Sequence, residues 1–219
     1  MKKILSSIVW LVIAAPAIYL AVAWDRLPST VAVHFDLYGN PDRYGSKKEL
    51  MVLCLLLVGL NIFVYLILTN AHSLDPRKQA AANKERLHRI AFAVAVFMSA
   101  VLFLIIYSSL KGAVQFSIGV IFSAVGLLLA VMGNYMSAMK PNYFAGMRLP
   151  WTLESPENWR KTHLLAGKLL FGDGLLIAVI CLFTPPVLSI IAFSLILVTI
   201  TVITCVYSYR YYQTHRSVN

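Results

Sequence analysis

Six long apolar runs dominate this chain of 219 residues and restrict the folds that it can adopt. A helix that crosses the hydrocarbon core of a membrane needs about 20 mostly apolar residues. Helices also satisfy their own backbone hydrogen bonds, for which the core of a bilayer offers no partners. The sequence therefore predicts an all-α membrane protein, a six-transmembrane-helix bundle with spans at residues 4–24, 50–70, 89–109, 115–135, 165–184 and 187–208.

The composition agrees with a membrane protein and argues against a nucleic-acid partner. Charged residues make up 13% of the chain, whereas a soluble domain has about 25%. The net charge is +10, but basic residues of membrane proteins gather in cytoplasmic loops and face anionic lipid. The chain has no basic arm with interleaved aromatic residues. We expect membrane lipid as a partner and no nucleic acid.

The three cysteines, Cys54, Cys181 and Cys205, all lie within apolar runs. None belongs to a CxxC motif, and no histidine lies at the spacing of a zinc site. We interpret them as small apolar packing residues. We predict no disulfide framework and no zinc site at these cysteines, and we expect no cofactor.

The first span shares features with a signal peptide. Lys2 and Lys3 precede its apolar run, and residues 21–23 read AVA, which resembles a cleavage site. The run is longer than the apolar core of a signal peptide, which has about 7–15 residues. We interpret it as a retained helix that also directs insertion.

The distribution of lysine and arginine predicts the orientation, because cytoplasmic loops carry an excess of both. With the N-terminus inside, both termini and the basic loops 71–88 and 136–164 lie in the cytoplasm. We predict an N-in/C-in topology, with an ordered extracytoplasmic loop at residues 25–49 and an ordered cytoplasmic segment at 136–164. Since no repeat or linker divides the chain, residues 1–219 are predicted to form a single membrane domain.

The outer loop combines a short extended stretch with a turn. LPSTVAVHF alternates weakly, which is typical of a strand, and YGNPDRYGS is rich in turn residues. We expect Gly39 and Gly45 to adopt positive φ. Ser46 is a good N-cap for a helix that begins at Lys47.

The polar side chains of this loop allow three interpretations. His34 and Asp36 are two residues apart, so on a strand they share a face and form a weak candidate pair of metal ligands. No third ligand is evident in the sequence. The alternatives are a structural cluster, in which His34 hydrogen-bonds to Asp36 or Asp42, and a surface that binds a partner. The candidate residues of this loop are His34, Asp36, Asn40, Asp42, Tyr44, Ser46 and Lys47.

The inner segment reads as an ordered loop followed by a helix. SPENW marks the start of that helix, with Ser155 as N-cap and Pro156 at the first helical position. The helix is predicted to continue without a break into the fifth span. His163, Gly167 and Gly174 form one stripe on it, and the two glycines allow a neighbouring helix to approach closely. The candidate residues here are Asn134, Lys140, Asn142, Arg148, Trp151, Trp159, Lys161 and His163.

Asp173 is an acidic residue well inside a predicted span. A carboxylate at that depth is by default a hypothesis of function. The alternative is that Asp173 is neutral or hydrogen-bonded to a polar partner such as Asn61 of the second span. Both interpretations remain open at this point.

Two stretches together resemble the SdpI family of bacterial membrane proteins. They are LPSTVAVHFDLYGNPDRYGSK and GNYM followed by KPNYFAGMRLPWTLESPENWRKTHLLAG. The former resembles the N-terminal domain of unknown function of that family, and the latter is similar to its core motif. Met147 stands where the family usually has Ile, and Leu149 stands where it usually has Thr.

The resemblance implies a multi-pass protein of the bacterial inner membrane that protects its cell from a secreted toxin. It also implies that the toxin-bound protein recruits a cytoplasmic regulator. Two other functions are open: a small proton-coupled transporter that uses Asp173, and a membrane-embedded enzyme that uses His34 with Asp36, or His163. No nucleophile or metalloprotease motif supports the enzyme. The oligomeric state is not predicted.

Overall fold

The computed structural model describes residues 2–75, 80–113 and 117–215. Within this part, six helices are long and apolar enough to cross a membrane, and a seventh helix, α5, is short. This confirms the predicted all-α membrane protein with six spans. The helices are α1 (Lys2–Ala23), α2 (Lys47–Leu74), α3 (Lys84–Lys111), α4 (Ile118–Met136), α5 (Pro150–Glu154), α6 (Pro156–Phe183) and α7 (Pro186–His215).

The two polar segments lie at opposite ends of the bundle. The outer end, named after the predicted topology, carries a hairpin of two strands, β1 (Thr30–Phe35) and β2 (Pro41–Ser46), between α1 and α2. The inner end carries α5 and the loop that precedes it. The N-in orientation itself stays a prediction, because it depends on the distribution of basic residues.

The first half of the bundle consists of α1, α2, α3 and the hairpin. Leu20 of α1, Leu50 of α2 and Ile106 of α3 are buried in one apolar cluster, which also contains Val31 of β1. The Ser109 hydroxyl donates a hydrogen bond to the β1 backbone across 2.7 Å. The hairpin is therefore fixed to the ends of the spans.

The second half is built on close antiparallel contact between α4 and α6. Gly126 and Gly133 of α4 face Gly174 and Gly167 of α6 across the interface. A Cβ added at Gly133 would lie only 2.5 Å from the backbone nitrogen of Phe171. The close approach predicted from the two α6 glycines is confirmed, and the α4 glycines complete it.

The two halves are joined near the inner end. Ala71, Leu87 and Ile90 of the first half are buried against Met139 and Trp159 of the second half. This apolar contact lies directly beside the inner loop. The fold of that loop is therefore connected to the packing of the spans.

The two predicted helix starts are confirmed, whereas the predicted backbone conformation of one glycine is wrong. Ser46 accepts a hydrogen bond from the backbone of Glu49, and Ser155 caps α6 in the same way. Gly39 has the expected positive φ, but Gly45 does not, so that expectation was wrong. Gly45 lies in β2, where an added Cβ would clash with the Glu49 carboxylate. Its lack of a side chain makes room for that carboxylate.

Candidate functional site

The turn of the outer hairpin is organised by the Asp36 carboxylate. Its oxygens accept hydrogen bonds from the backbone of Tyr38 (2.9 Å) and of Asn40 (2.8 Å), and from the Asn40 side chain (3.2 Å). The Asn40 backbone N–H is the main reason that the pKa of Asp36 lies below its usual value. Two of the predicted site residues, Asp36 and Asn40, therefore shape the turn.

His34 pairs with Asp42, one of the two partners predicted for it. Its Nδ1 lies 2.6 Å from an Asp42 carboxylate oxygen. The strand β1 ends at Phe35, so Asp36 lies beyond it and does not share a strand face with His34. The antiparallel register is also irregular on both sides of His34. No three His, Cys, Asp or Glu side chains in the described part of the chain could together hold a metal ion.

Large side chains on the hairpin point into solvent. Tyr38 is 69% exposed and Tyr44 is 61% exposed, and Leu37 of the turn is also exposed. Lys47 lies beside the hairpin, with its ammonium 4.9 Å from the centre of the Trp24 ring. The outer end thus presents a hydrogen-bonded hairpin whose exposed surface carries aromatic and charged groups.

The inner loop is folded around the buried amide of Asn142. Its nitrogen donates to the carbonyls of Lys140 and Ala145, and its oxygen accepts from the N–H groups of Phe144 and Ala145. One side chain therefore satisfies four bonds, which is the full capacity of its donors and acceptor lone pairs. This predicted site residue has a structural role.

His163 of α6 is completely buried and holds the other side of the loop. The backbone N–H of Met147 donates to its Nε2 across 3.1 Å, so Nδ1 carries the proton and donates to the carbonyl of Trp159. The imidazole also stacks on the Trp159 ring at 3.9 Å. Gly146 has φ 109°, and a Cβ there would clash with Nε2. Both ring nitrogens are engaged, which argues against an acid–base role for His163.

Polar side chains also connect α5, α6 and α7. The Trp151 indole donates to the Ser208 hydroxyl across 2.9 Å. The Asn158 amide donates to the Ser208 carbonyl, and its oxygen accepts from Thr162. Thr152 donates to the carbonyl of Met147. Asn158, Thr152 and Ser208 were not among the predicted residues; the spacing of Asn158 and Thr162 by four was the available signal.

The remaining inner candidates differ in exposure. Trp159 is buried and donates from its indole to the carbonyl of Met139 across 2.8 Å. Lys140 and Arg148 are exposed and Lys161 is half-buried, while Asn134 is exposed near the end of α4. These residues leave charged groups on the inner surface.

Hydrogen bonds at the inner loop join the two halves of the bundle. The buried Asn83 amide donates to the Lys140 carbonyl (2.9 Å) and accepts from the Lys140 N–H (2.8 Å). The Asp75 carboxylate accepts from the backbone N–H of Tyr143 across 2.6 Å. We call Asn83, Asp75 and their two partners the inner latch. Sequence reasoning missed it, since partners 57 and 68 residues apart leave no local signal.

Asn61 and Asp173 lie in different halves of the bundle. The Asn61 amide donates to the carbonyl of Ala95 and to the hydroxyl of Ser99, both on α3. Asp173 is half-buried on α6, which packs mainly on α4 and α7. Asn61 is therefore not the partner of Asp173.

Comparison with known proteins agrees with the motifs. Residues 138–208 match the model of the SdpI/YfhL protein family, and residues 11–65 match a domain of unknown function, DUF1648. The first region contains most of the inner segment, and the second contains the hairpin. No solved structure matches the chain.

Two curated relatives are similar over part of the chain. The Immunity protein SdpI of Bacillus subtilis is 36% identical over 89 residues, which is 41% of this chain and 42% of that protein. An uncharacterized protein of Archaeoglobus fulgidus is 44% identical over 36 residues, 16% of this chain and 20% of that protein. The chain thus spans less than half the length of either relative. The predicted resemblance is confirmed: residues 138–208 of this membrane protein match the model of the SdpI/YfhL protein family, and residues 11–65 match DUF1648.

Proposed function

We propose that this protein is an immunity protein of the bacterial cytoplasmic membrane that protects its cell against a secreted, membrane-active peptide toxin. The observation that carries the proposal is the hydrogen-bonded hairpin, which exposes tyrosines and charged groups at the outer end of the bundle. The similarity to a protein named for immunity supports this function.

The hairpin has the properties of a recognition surface. Its backbone is held by the Asp36 turn and by Ser109, so little ordering would be needed when a partner binds. Tyr38 and Tyr44 offer large, mainly apolar groups, a residue type that often contributes strongly to binding. The hydrogen-bonded His34–Asp42 pair adds polar groups to the same hairpin.

Survival of a toxin-sensitive strain tests the proposal. Cells that express the wild-type protein should survive a toxin dose that kills the parent strain, and the double variant Tyr38→Ala/Tyr44→Ala should lose most of this protection. Tyr209→Ala is the matched control, since Tyr209 is an exposed tyrosine at the inner end. Membrane abundance of each variant is measured alongside. Equal survival of the double variant at equal abundance would contradict the proposal.

We further propose that α2 and α3 relay toxin binding to a cytoplasmic regulator. At the outer end, α2 follows directly from β2, and Ser109 of α3 is bonded to β1. At the inner end, α2 is followed by Asp75 and α3 is preceded by Asn83, the two residues of the inner latch that contribute side chains. Each helix thus touches both polar segments. A relay also requires that α2 and α3 adopt two conformational states and that the toxin and the regulator each bind one state more tightly than the other.

The latch variant Asn83→Ala separates relay from protection. It removes both hydrogen bonds to the Lys140 backbone but leaves the hairpin unchanged. We expect normal survival and loss of toxin-dependent movement of the regulator to the membrane, measured by cell fractionation. Asn70→Ala is the control, because Asn70 is an exposed amide near the inner end of α2 and was not a candidate residue. Normal recruitment by Asn83→Ala would refute the role of the latch.

A further inference from the structure

An apolar cleft of ≈ 340 Å³ opens between α1 and α2 at the outer end of the bundle. It lies next to the hairpin but is lined by none of the hairpin residues. Apart from one carboxylate, its walls are apolar. The lining residues are Ala17, Leu20, Ala21, Trp24, Asp25, Met51, Cys54 and Leu55.

Each wall of the cleft ends in a charged residue. On the α1 side, Ala17 and Ala21 lead in steps of four to Asp25, in the turn that follows α1. On the α2 side, Leu55 and Met51 lead in steps of four to Lys47, the first residue of α2. Residues four apart lie on the same face of a helix. The cleft is therefore an apolar groove with an anion and a cation at its outer mouth.

The two charged groups differ in their surroundings. The Lys47 ammonium is held above the ring of Trp24, which itself lines the cleft. The Asp25 carboxylate is exposed and takes part in none of the hydrogen bonds or ion pairs found among the described residues. Arg26, the next residue, does not line the cleft. The carboxylate is thus available to a cationic group of a ligand.

We infer that this cleft binds one phosphatidylethanolamine molecule. An acyl chain fits the apolar walls, the primary ammonium of the headgroup meets Asp25, and its phosphate lies near Lys47. The charge pattern selects this lipid over phosphatidylglycerol, whose headgroup ends in a neutral glycerol and offers no cation to the carboxylate. The inference is tested separately from toxin recognition, since Tyr38 and Tyr44, the residues substituted in the survival test, do not line the cleft.

Native mass spectrometry of the full chain tests the site. The detergent-purified protein is mixed with phosphatidylethanolamine and phosphatidylglycerol that carry identical acyl chains, and the retained lipid is counted. We expect a preference for phosphatidylethanolamine of about tenfold, the size of one charge-assisted hydrogen bond. Asp25→Asn should abolish the preference for phosphatidylethanolamine, whereas Lys47→Gln should reduce the retention of both lipids. Glu157→Gln, an exposed carboxylate of the inner end, is the control and should change neither.

A second variant distinguishes lipid bound in the cleft from lipid bound elsewhere on the protein. Ala21→Phe should fill the cleft and reduce retention of both lipids, while thermal unfolding shows whether the protein stays folded. Equal retention of the two lipids by the wild-type protein would overturn the inference. So would a preference that survives in Asp25→Asn. Displacement of phosphatidylethanolamine by an apolar, lysine-containing peptide would instead assign the cleft to a peptide, and would also overturn it.

Discussion

The substitution Gly133→Ala tests whether close contact between α4 and α6 stabilises the second half of the bundle. The added methyl group would lie 2.5 Å from the Phe171 nitrogen and 2.7 Å from the Gly167 carbonyl oxygen, whereas ordinary contacts of a Cβ are 3.4–4 Å. The helices must therefore separate by about 1 Å, and overpacking of this kind costs about 1–3 kcal/mol. The loss should exceed the gain in helix propensity of alanine over glycine, about 1 kcal/mol.

Gly172→Ala is the matched control, since Gly172 lies on α6 and a Cβ there has no neighbour within 4 Å. Both variants gain the same helix propensity, so the difference between them measures the contact. The assay is reversible unfolding in mixed detergent micelles, which gives the free energy of unfolding. We expect Gly133→Ala to be less stable than Gly172→Ala by about 1–3 kcal/mol. Equal stability of the two variants would refute the reasoning.

Three further changes test other parts of the structure. Hydrogen bonds lower the pKa of Asp36 in the folded protein. The ionised carboxylate should therefore stabilise the fold fully above about pH 4, the usual carboxyl range. This stabilisation should be lost as the pH falls through the lowered pKa of the folded protein. The stability difference between wild type and Asp36→Asn should accordingly shrink between about pH 7 and about pH 3 in thermal unfolding. Gly146→Ala combines strain at positive φ with a clash against His163, so protease cleavage of the inner loop should become faster. Asp173→Asn should leave toxin protection unchanged in the survival assay; loss of protection would favour the proton-coupled transporter.

The parts of the fold that local sequence rules describe could be predicted. Apolar run lengths gave the number of spans, and Ser46 and Ser155 marked two helix starts correctly. The strand irregularity before His34 could not be predicted, because a bulge depends on the pairing of two strands. The Asn83 contact with Lys140 was equally hidden, since an amide in a polar loop gives no sign of a distant partner.

The structure also explains several residues of the inner segment, the second of the two stretches that resemble the SdpI family. The Asn142 side chain accepts a hydrogen bond from the Ala145 backbone. Gly146 makes room for His163, and the Thr152 hydroxyl donates to the Met147 carbonyl of the loop. These residues fold the inner loop and do not form a reactive site. The Arg148 side chain also donates a hydrogen bond to this loop, at the Tyr143 carbonyl, but it is exposed on the inner surface. It is therefore the motif residue that we would first substitute to test the proposed binding of a cytoplasmic regulator.

Photocrosslinking from the hairpin tests the central claim most directly. A photoreactive amino acid replaces Tyr38 in one variant and Tyr209 in another, and membranes that contain each variant are exposed to the toxin and irradiated. We expect a protein–toxin adduct from position 38 and none from position 209. An adduct from position 209 alone, or none from position 38 in cells that the protein still protects, would contradict recognition by the outer hairpin.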